Sequence, residues 1–404
     1  MLEALLDSAE WLAFLLSKEE NEFTPSWQLQ ELRAFIENEE YVTMAKKVVA
    51  GEDLPLPVMR TINKRSTGKK RVVFTFPRDV NWIMKLLAWE LRAYDSVFPD
   101  CLYSFRKGRT AGQAMNKLIH TPGIRKMYSY KTDIHDYFNS VDIPALLPQL
   151  KELFKYDEPL YHFFKGLLTC PFVLHDGKTV TAKKGIMAGT PLSPFLANLF
   201  LIDVDRYFES LNVPYFRYSD DIIVFAPDEE ILLVYENTLH RMLHEKGLTI
   251  NPDKDVHTVP HEAWTFLGYC YRDGKIDVAP ASVYKLKAKM RRKSRALMRW
   301  ARRKNLDSTK AAKAFIRRMN KKMYSVDDEK DLCWARWYFP VITTTTSLHA
   351  IDMYMQDCIR YIVCGHHGKK RFNLRYATMK EWGYRPLLHE YYAQIKRRMT
   401  EETV

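Results

Sequence analysis

No two cysteines stand in a CxxC spacing; the six, at 101, 170, 270, 333, 358 and 364, are scattered. Isolated thiols in a reducing compartment fit that pattern better than a disulfide framework or a redox pair. Cys358, Cys364, His366 and His367 are near neighbours, but their spacing fits no standard zinc site. Glycine (15) and proline (19) are too scarce for a collagenous or low-complexity chain. No apolar run approaches the ~18 residues of a membrane span, so no membrane partner is expected. The first twenty residues lack a basic n-region and carry acids among their apolar positions, against a secretory signal. The expectation is a soluble, cytoplasmic protein. No internal repeat is visible. What is present is an ordinary globular composition, 47% hydrophobic over 404 residues. That suits roughly two to three domains with cores needing no disulfide or zinc staple.

Acidic residues are nearly missing from one segment. Residues 285–322 hold 17 Lys/Arg and a single acid, Asp307, for a net +16. The whole chain carries +13, so the other 366 residues together carry −3. Leu286, Met290, Leu297 and Ala301 recur at helical spacing within it, predicting a narrow apolar stripe under a broad cationic face. So many like charges repel one another, and a polyanion is the natural partner. The stripe is thin for a membrane surface; nucleic acid fits better.

Elsewhere, helical and strand patterns are mixed. Residues 1–48 read as two or three helices, with Leu2, Leu5, Leu6, Ala9, Leu12 and Leu16 on one face. Segments 79–98, 109–120, 146–169, 192–210 and 228–246 read as helices. Segments 127–134 and 248–258 read as strands. Hairpins are expected at 63–76 about Ser66–Gly68, at 171–185 about His175–Gly177, at 215–225, and at 264–278. Mixed helices and antiparallel strands predict an α+β fold.

The most informative stretch runs Tyr215-Phe-Arg-Tyr-Ser-Asp-Asp-Ile-Ile-Val-Phe225. Two adjacent acids inside an apolar run are costly unless a turn or a cation accommodates them. Two readings stand for that segment: an exposed hairpin tip, or a metal site. A second cluster, Asp133-Ile-His-Asp136-Tyr-Phe138, follows an apolar strand. Two strands that each present carboxylates can build a two-metal phosphoryl-transfer site. Hard oxygen ligands select Mg²⁺ or Mn²⁺.

Tyr218-Ser-Asp-Asp221 matches the YxDD box of reverse transcriptases, and Asp133 to Phe138 resembles their first catalytic-aspartate box. Gly185-Ile-Met-Ala-Gly-Thr-Pro-Leu-Ser-Pro194 resembles the substrate-and-template box. Gly247 to Lys254 resembles the box after YxDD, and Phe266-Leu-Gly-Tyr269 the primer-grip hairpin. Lys69-Lys-Arg71-Val-Val and Tyr103-Ser-Phe-Arg-Lys-Gly-Arg109 resemble finger boxes of bacterial group II intron-type enzymes. Seven boxes in family order, over about residues 60 to 270, make the resemblance specific.

The resemblance implies a right-hand polymerase. Its parts are an N-terminal helical region (1–48), fingers (49–125), palm (126–278, with a finger insertion about 145–185) and a basic helical thumb and C-terminal region (279–404). It implies that Asp133, Asp220 and Asp221 hold two Mg²⁺ ions, with backbone around Ile134 adding contacts. Around the incoming dNTP it implies Lys70, Arg71, Asp136, Phe138, Ala188 and Lys254. Lys70 and Arg71 would clamp the triphosphate, or belong to a solvated hairpin. Phe138 would exclude a ribose 2′-OH, or be a core residue. Lys254 would protonate pyrophosphate, or be a surface lysine. Leu267 and Gly268 would hold the primer end, or form a plain tight hairpin. Arg106, Lys107, Lys285, Lys289, Arg292, Lys293 and Arg303 would contact nucleic acid. The tail 359–397, with Tyr361, Phe372, Tyr376, Trp382, Tyr384, Tyr391 and Tyr392 among its basic residues, suits looped RNA or an ordinary packed subdomain. Trp334, Trp337, Tyr338 and Phe339 are expected in a core.

Departures from the family narrow the expectation. Group II and retron enzymes usually carry Pro-Gln-Gly where this chain has Met187-Ala188-Gly189, so the usual glutamine is Ala188. Neither an endonuclease nor a maturase-like extension is recognised. A compact, altered member of this kind is most similar to the defence-associated (unknown-group) bacterial reverse transcriptases. The implied partners are a structured noncoding RNA template and an RNA/DNA hybrid product. Untemplated or protein-primed synthesis, an inactive RNA-binding scaffold, and RNA-templated RNA synthesis are the alternatives.

Overall fold

The computed structural model describes residues 1–20, 24–63, 70–325 and 333–401. The chain divides into two units, Met1–His261 and Glu262–Val404.

The first unit opens on a short 3-10 helix, Leu2–Leu6, and helices Ser8–Glu20, Ser26–Glu37 and Val42–Val49. The expected leucine face is only partly right. Leu2 and Leu5 are buried, but Leu6, Leu12 and Leu16 are exposed. The chain breaks at Asp7 and a new helix starts at Ser8, which resets the helical register. The buried face is then Trp11, Phe14 and Leu15, with Trp11 against Phe35 and Tyr41.

Eight strands follow: β1 (Val58–Asn63), β2 (Lys70–Thr75), β3 (Tyr128–Asp133), β4 (Phe172–His175), β5 (Lys178–Thr181), β6 (Tyr215–Tyr218), β7 (Asp221–Ala226) and β8 (Val256–Thr258). They form two four-stranded sheets, ordered β2-β1-β4-β5 and β6-β7-β3-β8. The first is antiparallel except for β1 beside β4. The second is antiparallel throughout. The expected turn at Ser66–Gly68 lies outside the described residues.

Three expected elements divide. The helix expected over 146–169 is two, Ile143–Leu153 and Glu158–Thr169, because the Asp157 carboxylate accepts from the Leu160 amide at 3.2 Å and starts a second helix. The apolar segment 192–210 is likewise Ser193–Phe200 and Ile202–Ser210. Of 248–258 only β8 is a strand. Pro252, which has no backbone donor, starts a 3-10 turn to Lys254 instead.

The second unit begins with a three-stranded antiparallel sheet where one hairpin was expected: β9 (Trp264–Phe266), β10 (Tyr269–Arg272) and β11 (Lys275–Val278). The second turn is Asp273-Gly274, both at positive φ, a two-residue signal of its own. The basic segment forms helices Pro280–Arg303 and Ser308–Tyr324, the second capped by the Asp307 carboxylate at 3.1 Å from the Thr309 amide. Its apolar stripe falls as expected. Leu286, Met290 and Ala301 are buried and Leu297 half-buried, and Ser294 joins them. Helix Thr346–Cys364 packs against both basic helices. Trp334, Tyr338 and Phe339 are core residues, while Trp337 is half-buried.

Candidate active site

Strand β3 brings Asp133 to its C-terminal end, directly opposite Asp221, the first residue of β7. Asp220 precedes it in the two-residue turn joining β6 to β7. The sheet therefore gathers the three expected carboxylates at one edge. Burial, and then the charges of Asp133 and Asp221, push the Asp220 carboxyl up to about 6. Lys254 bonds the Asp133 carboxylate. Burial would lower its pKa, but Asp133, Asp221 and Asp220 together hold its ammonium above the usual lysine value. Carboxylates crowded enough to raise a pKa, already drawing in a cation, are a donor set that fits hard divalent ions.

Ser219, the other turn residue, sits at φ +62°, an uncommon conformation for a residue with a side chain. Both its backbone groups are held. Its amide donates to Ser104 Oγ at 2.9 Å, and its carbonyl accepts from Arg217 Nη1 at 3.2 Å. Arg217 is fully buried and forks onto the equally buried Asp205, Nε to Oδ1 at 2.7 Å and Nη2 to Oδ2 at 2.5 Å. Tyr215 donates to the same carboxylate at 3.0 Å, and Arg217 Nη2 reaches the Asn198 carbonyl at 3.2 Å. The Asn198 side-chain amide in turn accepts from Ser104 Oγ at 3.0 Å and donates to the Ser104 carbonyl at 2.8 Å. Sequence reasoning missed this network. The signal was Arg217 itself, a charge inside an apolar strand, which must have a buried counter-ion.

Of the residues expected around the nucleotide, Phe138 and Arg71 come together. Gly185 takes φ +48°, and a Cβ there would lie 2.3 Å from the Phe138 carbonyl. Only glycine lets this loop press on that turn, and the Ile186 amide then donates to the Phe138 carbonyl at 2.9 Å. Phe138 is half-buried beside Phe105, ring centroids 6.4 Å apart, with the Arg71 guanidinium 6.0 Å from its ring. Lys70 and Arg71 are both exposed on β2. Asp136 is exposed at φ +43° and accepts from Asn139 Nδ2 at 3.2 Å.

Three sequence expectations need correction. Arg106 is not presented to nucleic acid. Its guanidinium is buried on the Asp95 carboxylate at 3.2 Å and on the carbonyls of Pro99, Leu102 and Asp95. It staples the loop, whereas its neighbour Lys107 is exposed. Ala188 offers no side chain to a nucleotide: its methyl is fully buried and its carbonyl accepts from the Phe74 amide at 2.8 Å. The Ile134 amide donates to the Asp220 carbonyl at 3.1 Å, so the contact left to Ile134 is through its own carbonyl.

Within the second unit, Leu267 and Gly268 form a two-residue turn between β9 and β10, with φ +52° and +86°. Trp337 Nε1 donates to the Leu267 carbonyl at 3.3 Å, and the Ala279 amide to that of Gly268 at 2.8 Å. Lys285, Arg292 and Arg303 are exposed along the first basic helix, and Lys289 and Lys293 half-buried. Burial, with Arg318 and Lys289 nearby, lowers the Lys293 pKa. In the tail, Tyr384 and Tyr391 are core residues, whereas Phe372, Tyr376 and Tyr392 are exposed. Arg360 and Arg371 lie over the Phe372 ring at 5.2 and 4.8 Å. The Cys358–His367 quartet does not converge: His367 stacks on Tyr361 and His366 Nδ1 accepts from the Gly368 amide.

A family model described as "Reverse transcriptase (RNA-dependent DNA polymerase)" matches residues 62–271. No curated protein matches the chain. Among solved structures, the chain is similar to apo telomerase from Candida tropicalis truncated from the C-terminal domain, at 14% identity and TM-score 0.43, covering 55% of each chain. It is similar to telomerase from Candida albicans in complex with a TWJ fragment of telomeric RNA, at 14% identity and TM-score 0.45, covering 87% of this chain and 68% of that one. For apo telomerase from Candida tropicalis the values are 13%, 0.45, 86% and 64%. This chain thus spans between about half and two thirds of those chains.

Proposed function

Because the chain belongs to the reverse transcriptase (RNA-dependent DNA polymerase) family, with its α+β right-hand polymerase fold, we propose that it copies RNA into DNA with dNTP substrates. The observation that carries this is the register that sets Asp133 against Asp221 with Asp220 on the adjoining turn. These three carboxylates would hold two Mg²⁺ ions. When bound, the ions supply charge neutralisation at the attacking and leaving oxygens. The chain's own groups do the rest. Lys70 and Arg71 hold the triphosphate against β2, and Lys254 keeps a proton available for departing pyrophosphate. The primer 3′-oxygen attacks the α-phosphate, and the catalytic contribution is positioning and charge stabilisation. The first unit contributes the fingers and palm. In the second, Leu267 and Gly268 form the primer grip, and the exposed cations Lys285, Arg292 and Arg303 bind duplex phosphates as the thumb.

The template is a structured noncoding RNA, and the role is antiphage defence in the bacterial cytoplasm. This rests on the box variants, above all the loss of the usual glutamine at Ala188. The test is to sequence RNA and DNA that co-purify with the protein from phage-challenged cells, beside the Asp220→Asn/Asp221→Asn variant. DNA complementary to one enriched RNA, absent from the variant, is the expected result. Variant-sensitive DNA that matches no RNA would select untemplated synthesis, which the buried methyl of Ala188 makes the second reading. No variant-sensitive DNA would leave an RNA-binding scaffold.

Phe138 is the sugar discriminator in this reading. Its ring is half-exposed beside Arg71, where a triphosphate's ribose would come. Phe138→Ala should raise rNTP incorporation relative to dNTP by about tenfold or more, a steric term of the size expected for one removed contact. Single-nucleotide extension assays measure it, and an unchanged ratio removes Phe138 from the role.

A further inference from the structure

Helix Glu229–Glu245 packs on β3 and β7 of the catalytic sheet. It carries Glu236 and His240 four residues apart, one turn along a single face. Asp255 and His257 are two residues apart at the start of the edge strand β8, so they project to one side. The helix and the strand bring these two pairs together. One ligand atom from each of Glu236, His240 and Asp255 lies within 4.8 Å of the others. His257 Nε2 is 2.8 Å from Glu236 Oε2, and His240 Nε2 is 3.9 Å from Glu236 Oε1. Both imidazoles thus turn the same nitrogen toward one carboxylate.

We propose that Glu236, His240, Asp255 and His257 form a second metal site, separate from the catalytic carboxylates, that takes a zinc-class transition ion. Two imidazole nitrogens and two carboxylate oxygens are a borderline donor set, which suits Zn²⁺ over Mg²⁺. Two anions balance a divalent charge. Tetrahedral Zn²⁺ with bonds near 2.0–2.2 Å requires the ligand atoms to close to about 3.4 Å from one another. Small side-chain rotations provide that. The supporting shell is in place. Tyr130, fully buried on β3 and paired in register with His257, donates its hydroxyl to Asp255 Oδ1 and packs its ring 4.9 Å from His257. That fixes one carboxylate oxygen of Asp255 and leaves the other for the ion. His240 Nε2, now 2.6 Å from the same hydroxyl, would exchange it for the ion. His240 and His257 are 33% and 53% exposed, so the ion has a route in from solvent.

The site has a reason to exist. Asp255 follows Lys254, whose ammonium bonds Asp133. Tying Asp255 to the helix holds that lysine over the catalytic edge.

The measurement is metal content of the purified full-length chain after dialysis against Zn²⁺-free buffer, together with the visible spectrum of Co²⁺-loaded protein. The expected result is one Zn²⁺ per chain and the intense bands of four-coordinate Co²⁺. Both should be lost in His240→Gln and in the more exposed His257→Gln, with circular dichroism unchanged. Asp220→Asn/Asp221→Asn should keep both, which separates this site from the proposed polymerase chemistry. Absence of retained Zn²⁺ with only weak, six-coordinate Co²⁺ bands would overturn the proposal. So would Zn²⁺ retained equally by folded His240→Gln and His257→Gln.

Discussion

Replacing Asp220 with asparagine should make the metal-free protein more stable and the enzyme inactive. The two effects share a cause. Burial, and then the charges of Asp133 and Asp221, raise the Asp220 pKa from about 3.8 to about 6. An acid whose folded pKa is raised favours the fold only when protonated. Below about 3.8 it is neutral in both states and costs nothing. The penalty grows between about 3.8 and 6 and is complete above that. Asparagine never incurs it. In EDTA, the melting temperature of Asp220→Asn should therefore exceed wild type by a few degrees at pH 7.5, with the gap closing as pH falls toward 4. Added Mg²⁺ should raise wild type more than the variant, which lacks one carboxylate and so part of the burial cost and repulsion that binding relieves. Primer extension by the variant should fall by about a thousandfold, the scale for removing a preorganised charge from a transition state. Equal melting curves in EDTA at pH 7.5 would mean that the carboxylates do not repel one another as their burial implies.

Much of this site was legible in the sequence, because its chemistry demands particular residue types at strand ends. Asp133, Asp220 and Asp221 are acids in apolar strands, and the β3–β7 register brings them together as expected. Phe138 and Arg71, both expected around the nucleotide, lie beside one another. Local turn chemistry was legible for the same reason: Asp176-Gly177 and Leu267-Gly268 are tight turns. What failed was what only tertiary packing decides. Arg106 looks like a phosphate ligand in a Phe-Arg-Lys-Gly-Arg run, yet the loop folds so that it satisfies three carbonyls and Asp95. Leucine spacing near the N-terminus pointed to a face that the helix break at Asp7 rotates outward. Helices expected as continuous at 146–169 and 192–210 are interrupted, the first over 154–157 and the second at Leu201 alone, and apolar content does not mark such breaks.

The Arg217–Asp205 pair was the largest omission, and it yields the sharpest structural test. Both side chains are fully buried. Removing one alone strands a charge in the interior, at a cost of about 3–5 kcal/mol. Arg217→Met should accordingly be poorly soluble or melt many degrees below wild type. A buried pair replaced whole by apolar groups of similar volume is often nearly neutral. Asp205→Leu/Arg217→Met should therefore recover most of the lost stability, within about 1–2 kcal/mol, the remainder being the Tyr215 hydroxyl and the Ser219 and Asn198 carbonyls left without these partners. It should not recover synthesis. Arg217 also holds the Ser219 carbonyl at 3.2 Å, in a turn whose positive φ a serine does not adopt without cost. Without that bond the turn relaxes and Asp220 leaves its place beside the Asp133–Asp221 pair. The double variant should bind primer–template as wild type does while its kcat falls at least about tenfold, as a displacement of the order of 1 Å in a catalytic group implies. A refolded double variant with full kcat would show that the pair only fills the core. A low kcat in a stable protein makes Arg217 a positioning residue, acting through one backbone oxygen on the carboxylates proposed to hold the metal ions.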